Sequence, residues 1–220
     1  GMAVTMQGSG IAGIDTASAE VRLNDDGNYT LLLGSTDMGT GSDTILAQMA
    51  AEILETTVDN IIVNAADTDV SPYDPGSYAS STTYVTGMAV VKAAEELKQK
   101  IIASGAKLLE VAAEDVEFDG KNISTLSGEK QLGLEKLAEL MVLGAGNLQL
   151  VGQGTYGSPV SPPPFIAGFA EVEVDTETGK VELLDYVAVV DCGTVINPKL
   201  ATIQVEGGIV QGIGLALYED

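Results

Sequence analysis

Three stretches of this chain group residues that can grip a polar or anionic ligand. The first is Gly34-Ser-Thr-Asp-Met-Gly-Thr-Gly-Ser-Asp-Thr44. Its glycines permit positive φ and a close approach of backbone to ligand. Ser42 and Thr44 add hydroxyls, and the run that follows, ILAQMAAEILE, has helical spacing. A helix starting there would offer free N–H groups and the positive end of its dipole. The elbow reads either as an anion cradle or as a tight strand-to-helix turn with a good cap. It lacks the Lys of a P-loop and the GxGxxG spacing of a dinucleotide fingerprint.

The second stretch is SYASSTTYVTG, residues 77–87. Its consecutive Ser and Thr residues are poor helix formers in an interior but good hydrogen-bonding groups at a helix start. Capping with a solvated first turn explains them equally well. The third is QVEGGIVQGIG, residues 204–214, which sets Gln204 and Gln211 seven apart on one helical face. A glutamine amide both donates and accepts, which suits a pterin or nucleobase edge. The same glycines suit close helix packing.

Other chemistry is sparse. Asp67, Asp69 and Asp74 lack the spacing and late Glu of an EF-hand, so a solvated acidic loop is expected. The chain has no His, which excludes a Ser–His–Asp triad and His-based zinc. Cys192 is the only cysteine, so no internal disulfide forms, and a buried inert thiol is expected. No residue is assigned as catalytic or as a metal ligand. A net charge of −22 with only 10 basic residues argues against nucleic acid and anionic membranes as partners. No apolar run long enough to cross a bilayer and no signal peptide is expected, which points to a soluble cytoplasmic protein.

The elements that must position these groups follow from periodicity. Residues 19–25 and 28–34 read as a hairpin turned at Asp26-Gly27. Ser42 or Asp43 caps a helix to about Glu55, and 60–66 reads as a buried strand. A long helix is expected over 80–109, with a possible break at Gly105. Short strands around 114–132, a helix over 134–142 and a strand over 147–154 follow. The stiff SPVSPPP, 158–164, divides the chain. Beyond it AEVEVDTETG, residues 170–179, matches AEVRLNDDG, residues 19–27. Each copy runs strand, strand, Asp-x-Gly turn, helix. The expected fold is α+β, with repeated β-β-α units in a two-layer arrangement of mixed sheet and packed helices. The expected division is 1–157 for the first repeat with its long helix and 158–220 for a truncated second repeat.

Taken together, TDMGTGSDTILAQMAAEIL, DTD…YDPGSYASSTTYVTGMAVVKAA, AEVEVDTETGKVELL…VVDCGTVINP and QVEGGIVQGIGLALYE resemble one family in order and spacing. It is the molybdenum-binding large subunit of the xanthine dehydrogenase/aldehyde oxidase family. The resemblance implies a C-terminal-region fragment of a hydroxylase that oxidises heteroaromatic or aldehyde carbon with oxygen from water. It implies molybdopterin, as a cytosine dinucleotide in some members, carrying molybdenum on its own dithiolene. FAD and [2Fe-2S] modules would sit on other domains or subunits. It carries cofactor contacts onto Gly39, Thr40, Gly41, Ser42 and Asp43, onto Ala79, Ser80, Ser81 and Thr82, and onto Gln204. Many relatives have Gln where this chain has Thr40. The family's catalytic glutamate lies in a Gly-x-Gly-Glu-Pro-Pro-like motif that these residues do not contain, and Glu219 does not match it. The expected partners are the rest of the large subunit, the iron–sulfur and flavin modules and a small-molecule substrate. The fragment is expected to be inactive alone and to self-associate through apolar faces. The alternative is a stand-alone acidic α+β binding or assembly module with structural glycine loops.

Overall fold

A computed structural model describes residues 1–143 and 147–219; Asp220, the last residue of the expected second unit, lies outside them. The chain divides into two compact units, Gly10–Val160 and a second made of Gly1–Ser9 with Ser161–Asp220. Residues 1–9 were assigned by sequence to the first unit. They go with the second because strand β1 (Met2–Met6) pairs antiparallel with β9 (Phe165–Val174), Met2 opposite Phe169.

The Gly10–Val160 unit is built on β2 (Thr16–Leu23), β3 (Tyr29–Leu33), β4 (Ile61–Ala65) and β8 (Val151–Gly157), in the order β4-β3-β2-β8. Strict alternation along β2 buries Ala17, Ala19, Val21 and Leu23 on one face. β2 and β3 form the expected hairpin, whereas β3 and β4 run parallel, so the sheet is mixed. The parallel pair requires a crossover, which helix α1 (Ser42–Ile53) supplies. β4 was expected to be buried. It is the edge strand, and Ile62 on it is exposed.

Helix α2 (Thr82–Leu109) lies along β2 and β8, with Val85, Ala89, Ala93, Leu97 and Ile101 facing the core at helical spacing. Gly152 and Gly154 on β8 let the helix backbone rest directly on the sheet. A Cβ at Gly152 would overlap the Ala93 carbonyl, and one at Gly154 the Ala89 carbonyl. The helix runs unbroken through Gly105, which is needed for contact: a Cβ there would come 2.7 Å from Ile123. Ile123 belongs to a small sheet of β5 (Val116–Phe118), β6 (Asn122–Thr125) and β7 (Gln131–Gly133), followed by α3 (Leu134–Leu143).

The other unit is a three-stranded antiparallel sheet, β1-β9-β10, with β10 spanning Val181–Asp191 and helix α4 spanning Pro198–Leu217. No residue of α4 is buried. At 20 residues and a mean hydropathy of 1.3 it is long and apolar enough to cross a membrane by length and composition. No such run was expected from the sequence; Gln204, Glu206 and Gln211 interrupt the aliphatic residues of this one. A carboxylate at Glu206, in mid-helix, is costly in hydrocarbon.

The two units share a local design. β2 and β3 lead through Asp37-Met38-Gly39 into α1, and β9 and β10 lead through Asp191-Cys192-Gly193 into α4. In both turns the glycine takes positive φ, 90° at Gly39 and 72° at Gly193. In both its N–H donates to the aspartate Oδ1, at 2.8 and 3.0 Å. Cys192, expected to be buried, is exposed on the second turn.

Candidate functional site

Asp37 organises the glycine elbow. Its Oδ1 accepts N–H bonds from Gly39 at 2.8 Å, Thr40 at 3.0 Å and Gly41 at 3.2 Å. Its Oδ2 accepts from Asp43 at 3.3 Å. Gly41, with φ 78° and ψ 23°, is the N-cap residue of α1 and folds the chain back around the carboxylate. Neither Ser42 nor Asp43 caps the helix, as the sequence suggested; the capping oxygen comes from Asp37, upstream. Burial pushes the Asp37 carboxyl up, but the four backbone donors outweigh it and leave the group below its ordinary value. Asp43 shifts the other way, raised first by burial and then by the Asp37 charge. Its Oδ1 and the Ser42 Oγ are buried without a hydrogen-bond partner.

The hydroxyl-rich loop lies beside this elbow. Ser77 bridges the two: its Oγ accepts from the Thr36 N–H at 3.0 Å and donates to the Thr36 carbonyl at 2.9 Å. Gly34 adds a close approach, since a Cβ there would meet the Pro72 carbonyl at 2.5 Å. Asp74 is structural, accepting from the Gly76 N–H at 2.9 Å and the Thr86 hydroxyl at 3.0 Å. Asp67 likewise accepts from the Asp69 N–H at 3.0 Å, as a solvated acidic loop would. Among the described residues, no group of three or more His, Cys, Asp or Glu could hold a metal ion.

Ala79 and Ser80 both take the left-handed conformation, φ 52° and 54°, unusual for two successive residues with a Cβ. The Ala79 carbonyl is held by the Gly10 N–H at 2.8 Å. Ser81, the N-cap residue of α2, turns its Oγ back to the Tyr78 carbonyl at 2.7 Å, so its side chain does not cap the helix. Ser80 is exposed and Thr82 half-buried at the start of a 28-residue helix. Gly39–Asp43 and Ala79–Thr82 thus lie in one unit, on loops joined at Thr36 and Ser77.

Gln204 lies in the other unit. It lines an apolar cavity of about 940 Å³ between α4 and the β1-β9-β10 sheet, with Phe165, Tyr186, Val205, Ile209 and Ile213. Gln211, expected to share its role, does not line this cavity. The residues that sequence reasoning passed over are Asp37 and Ser77. The Asp-x-Gly spacing signals an aspartate folding back on its own turn. Nothing local signals that Ser77 joins loops 41 residues apart.

A mixed sheet carrying two helices, with a glycine elbow and a hydroxyl loop joined through Ser77, makes this an α+β domain. Comparison with known proteins gives the family. The model for the molybdopterin cofactor-binding domain matches residues 1–220, and the chain belongs to that family, found in the large subunits of xanthine dehydrogenases and aldehyde oxidoreductases. It is 38% identical over 221 residues to the Escherichia coli K12 protein named "Probable hypoxanthine oxidase XdhD", covering 100% of this chain and 23% of that one. It is 34% identical over 212 residues to the xanthine dehydrogenase molybdenum-binding subunit of Escherichia coli O157:H7, covering 94% and 28%. Among solved structures, quinoline 2-oxidoreductase of Pseudomonas putida 86 superposes with a TM-score of 0.84 at 27% identity, covering 97% and 29%. Reconstituted CO dehydrogenase of Oligotropha carboxidovorans superposes at 0.82 and 30% identity, covering 94% and 28%. The chain spans about a quarter of the length of the curated relatives it matches.

Proposed function

We propose that this chain supplies part of the cofactor pocket of a molybdenum hydroxylase whose whole form oxidises a heteroaromatic or aldehyde carbon with oxygen from water. The observation that carries the reading is the pairing of elbow and hydroxyl loop through Ser77 in a chain of the molybdopterin-binding family. The donor set fits the group. The hydroxyls of Ser80 and Thr82 and the first turn of α2 suit the oxygen-rich rim of a pterin phosphate, and the Thr40 hydroxyl suits a neutral, hydrogen-bonding part of the cofactor. When bound, the cofactor would bring the molybdenum, through which the substrate's electrons leave.

The roles divide among this chain's own residues. Ser80 and Thr82 orient the cofactor's anionic part at the α2 start, where no side chain caps the helix. Thr40, half-buried on the elbow, offers a shorter contact than the Gln of many relatives. Gln204 is a further proposed cofactor contact, through its side-chain amide. We assign no catalytic residue here, and we read this length of chain as inactive by itself and the enzyme as cytoplasmic. Relatives named as subunits, such as the nicotine 6-hydroxylase large subunit of Paenarthrobacter nicotinovorans, support further subunits as the remaining partners, and we take FAD and [2Fe-2S] modules to be among them.

The test is cofactor content in the whole protein. Ser80→Ala with Thr82→Ala, and separately Gln204→Ala, are expected to lower bound molybdenum and pterin several-fold while the protein stays folded. Unchanged content in both would favour the second reading, a stand-alone acidic module. That reading draws on the elbow, whose N–H groups are already satisfied by Asp37.

A further inference from the structure

We propose that Asp37 is the resident anion of the glycine elbow and bars phosphate from the backbone N–H groups of that loop. Four main-chain donors converge on one carboxylate: Gly39, Thr40 and Gly41 on Oδ1, Asp43 on Oδ2. Such a ring of N–H groups is what a backbone nest offers a phosphate. Here it is filled from within the chain.

The second repeat shows that a turn of this kind does not require so much. Asp191 holds the Gly193 N–H at 3.0 Å, and α4 is then capped separately by Asn197, whose Oδ1 accepts from Leu200 at 3.2 Å. Asp37 does both jobs at once and takes two further donors. Gly41, in the left-handed region, makes this possible by turning the chain around the carboxylate. Asp43 lies close enough to feel the same negative charge. An incoming phosphate would have to displace Asp37 and then sit between two carboxylates.

The elbow is therefore a selector. It rejects the anionic part of a ligand and accepts a neutral, hydrogen-bonding part through the side chains it displays. Where the ligand is molybdopterin, a step that rests on the reading above, the phosphate lies off the elbow, towards the start of α2.

The experiment uses the ¹⁵N-labelled chain titrated with inorganic phosphate at constant ionic strength near neutral pH. In the wild type, the amide signals of Gly39, Thr40, Gly41 and Asp43 are expected not to move. In Asp37→Gly they are expected to move saturably, by at least several line widths. If the variant loop loses its shape, phosphate is expected to restore dispersed signals for these four amides. Asp37→Asn, which keeps an acceptor but no charge, is expected to hold the turn and to stay silent or respond weakly. Asp191→Gly is expected to show no response in its own turn. A saturable shift in the wild type overturns the proposal. So does an Asp37→Gly variant whose loop neither responds to phosphate nor regains its shape in it. Neither result depends on molybdenum content, so this failure is separable from failure of the cofactor reading.

Discussion

Asp37 and Asp43 sit six residues apart in one loop, and their environments push their carboxyls in opposite directions. The Asp37 pKa is depressed in the folded chain, so its stabilisation is fully present above the unfolded value of about 3.9. It is lost as pH falls through the lower folded value. Asp43 has the opposite sign. Its raised value makes the folded state prefer the protonated form, so stability is lost as pH rises from the unfolded pKa through the folded one. Asp43→Asn is thus expected to raise the urea midpoint near neutral pH and to lose that advantage below about pH 4, where the wild-type group is protonated too. A variant less stable at neutral pH than at acid pH, relative to wild type, would contradict this. Asp37→Ala is expected to destabilise near neutral pH, with the loss shrinking in acid, read from the same urea curves. The sequence shows both aspartates, but not which faces backbone donors. That depends on Gly41 turning left-handed, a choice that glycine permits and does not dictate.

At the level of elements, most of the architecture was legible. The β2–β3 hairpin, α1, α2, α3 and the β9–β10 hairpin follow from period-2 and period-3.6 patterns and from the Asp26-Gly27 turn. The misreadings have physical causes. β4 carries NIIVNAA, as apolar as a core strand, but parallel pairing to β3 alone leaves it at the edge. Gly105 resembles a helix break and is a contact, because Ile123, far along the chain, fills the space beside it. The same blindness hides Gly152 and Gly154, whose role is set by α2 lying on β8. Gly154→Ala must push Ala89 and Ala93 aside or part helix from strand. Overpacking of this kind costs about 1–3 kcal/mol, and here both neighbours are backbone, so the upper part of the range is expected in urea unfolding. A change under about 0.5 kcal/mol would show that helix and strand can separate freely.

Two tendencies oppose each other across the whole molecule. A net charge of −22 keeps copies apart. The second unit exposes apolar side chains on both strand and helix, among them Val172, Val174, Val187 and Val189, and Ile203, Val210 and Leu215. Exposed patches of this kind drive association unless something covers them. Charge repulsion is screened over about 10 Å at 0.1 M salt, while apolar attraction is not weakened. The mass measured by light scattering after size exclusion is therefore expected to rise with both concentration and salt. A clean monomer across both would count against these faces as sticky surfaces. The sequence led to this expectation through the apolar faces that a fragment would leave uncovered. It could not say which apolar residues stay exposed, because that depends on which faces of the strands and of α4 are covered.

That pairing also sets a timetable. Met6 and its partner Phe165 are separated by roughly 160 residues, which a ribosome making about 5–20 residues per second needs about 8–32 s to synthesise. Throughout that interval Met2, Val4 and Met6 wait for β9. The Gly10–Val160 unit can fold meanwhile, and its two ends come out side by side: the Ser158 N–H donates to the Asp15 carbonyl at 2.9 Å, and the Gly13 N–H to the Ser158 carbonyl at 2.7 Å. Once those bonds form, the entropy of closing a loop of that length has already been met. β1 then waits only for β9 to be made, beside the point where the chain leaves the folded unit. A variant that loosens the Asp15–Ser158 junction would be felt first in how long β1 stays displayed to chaperones during synthesis.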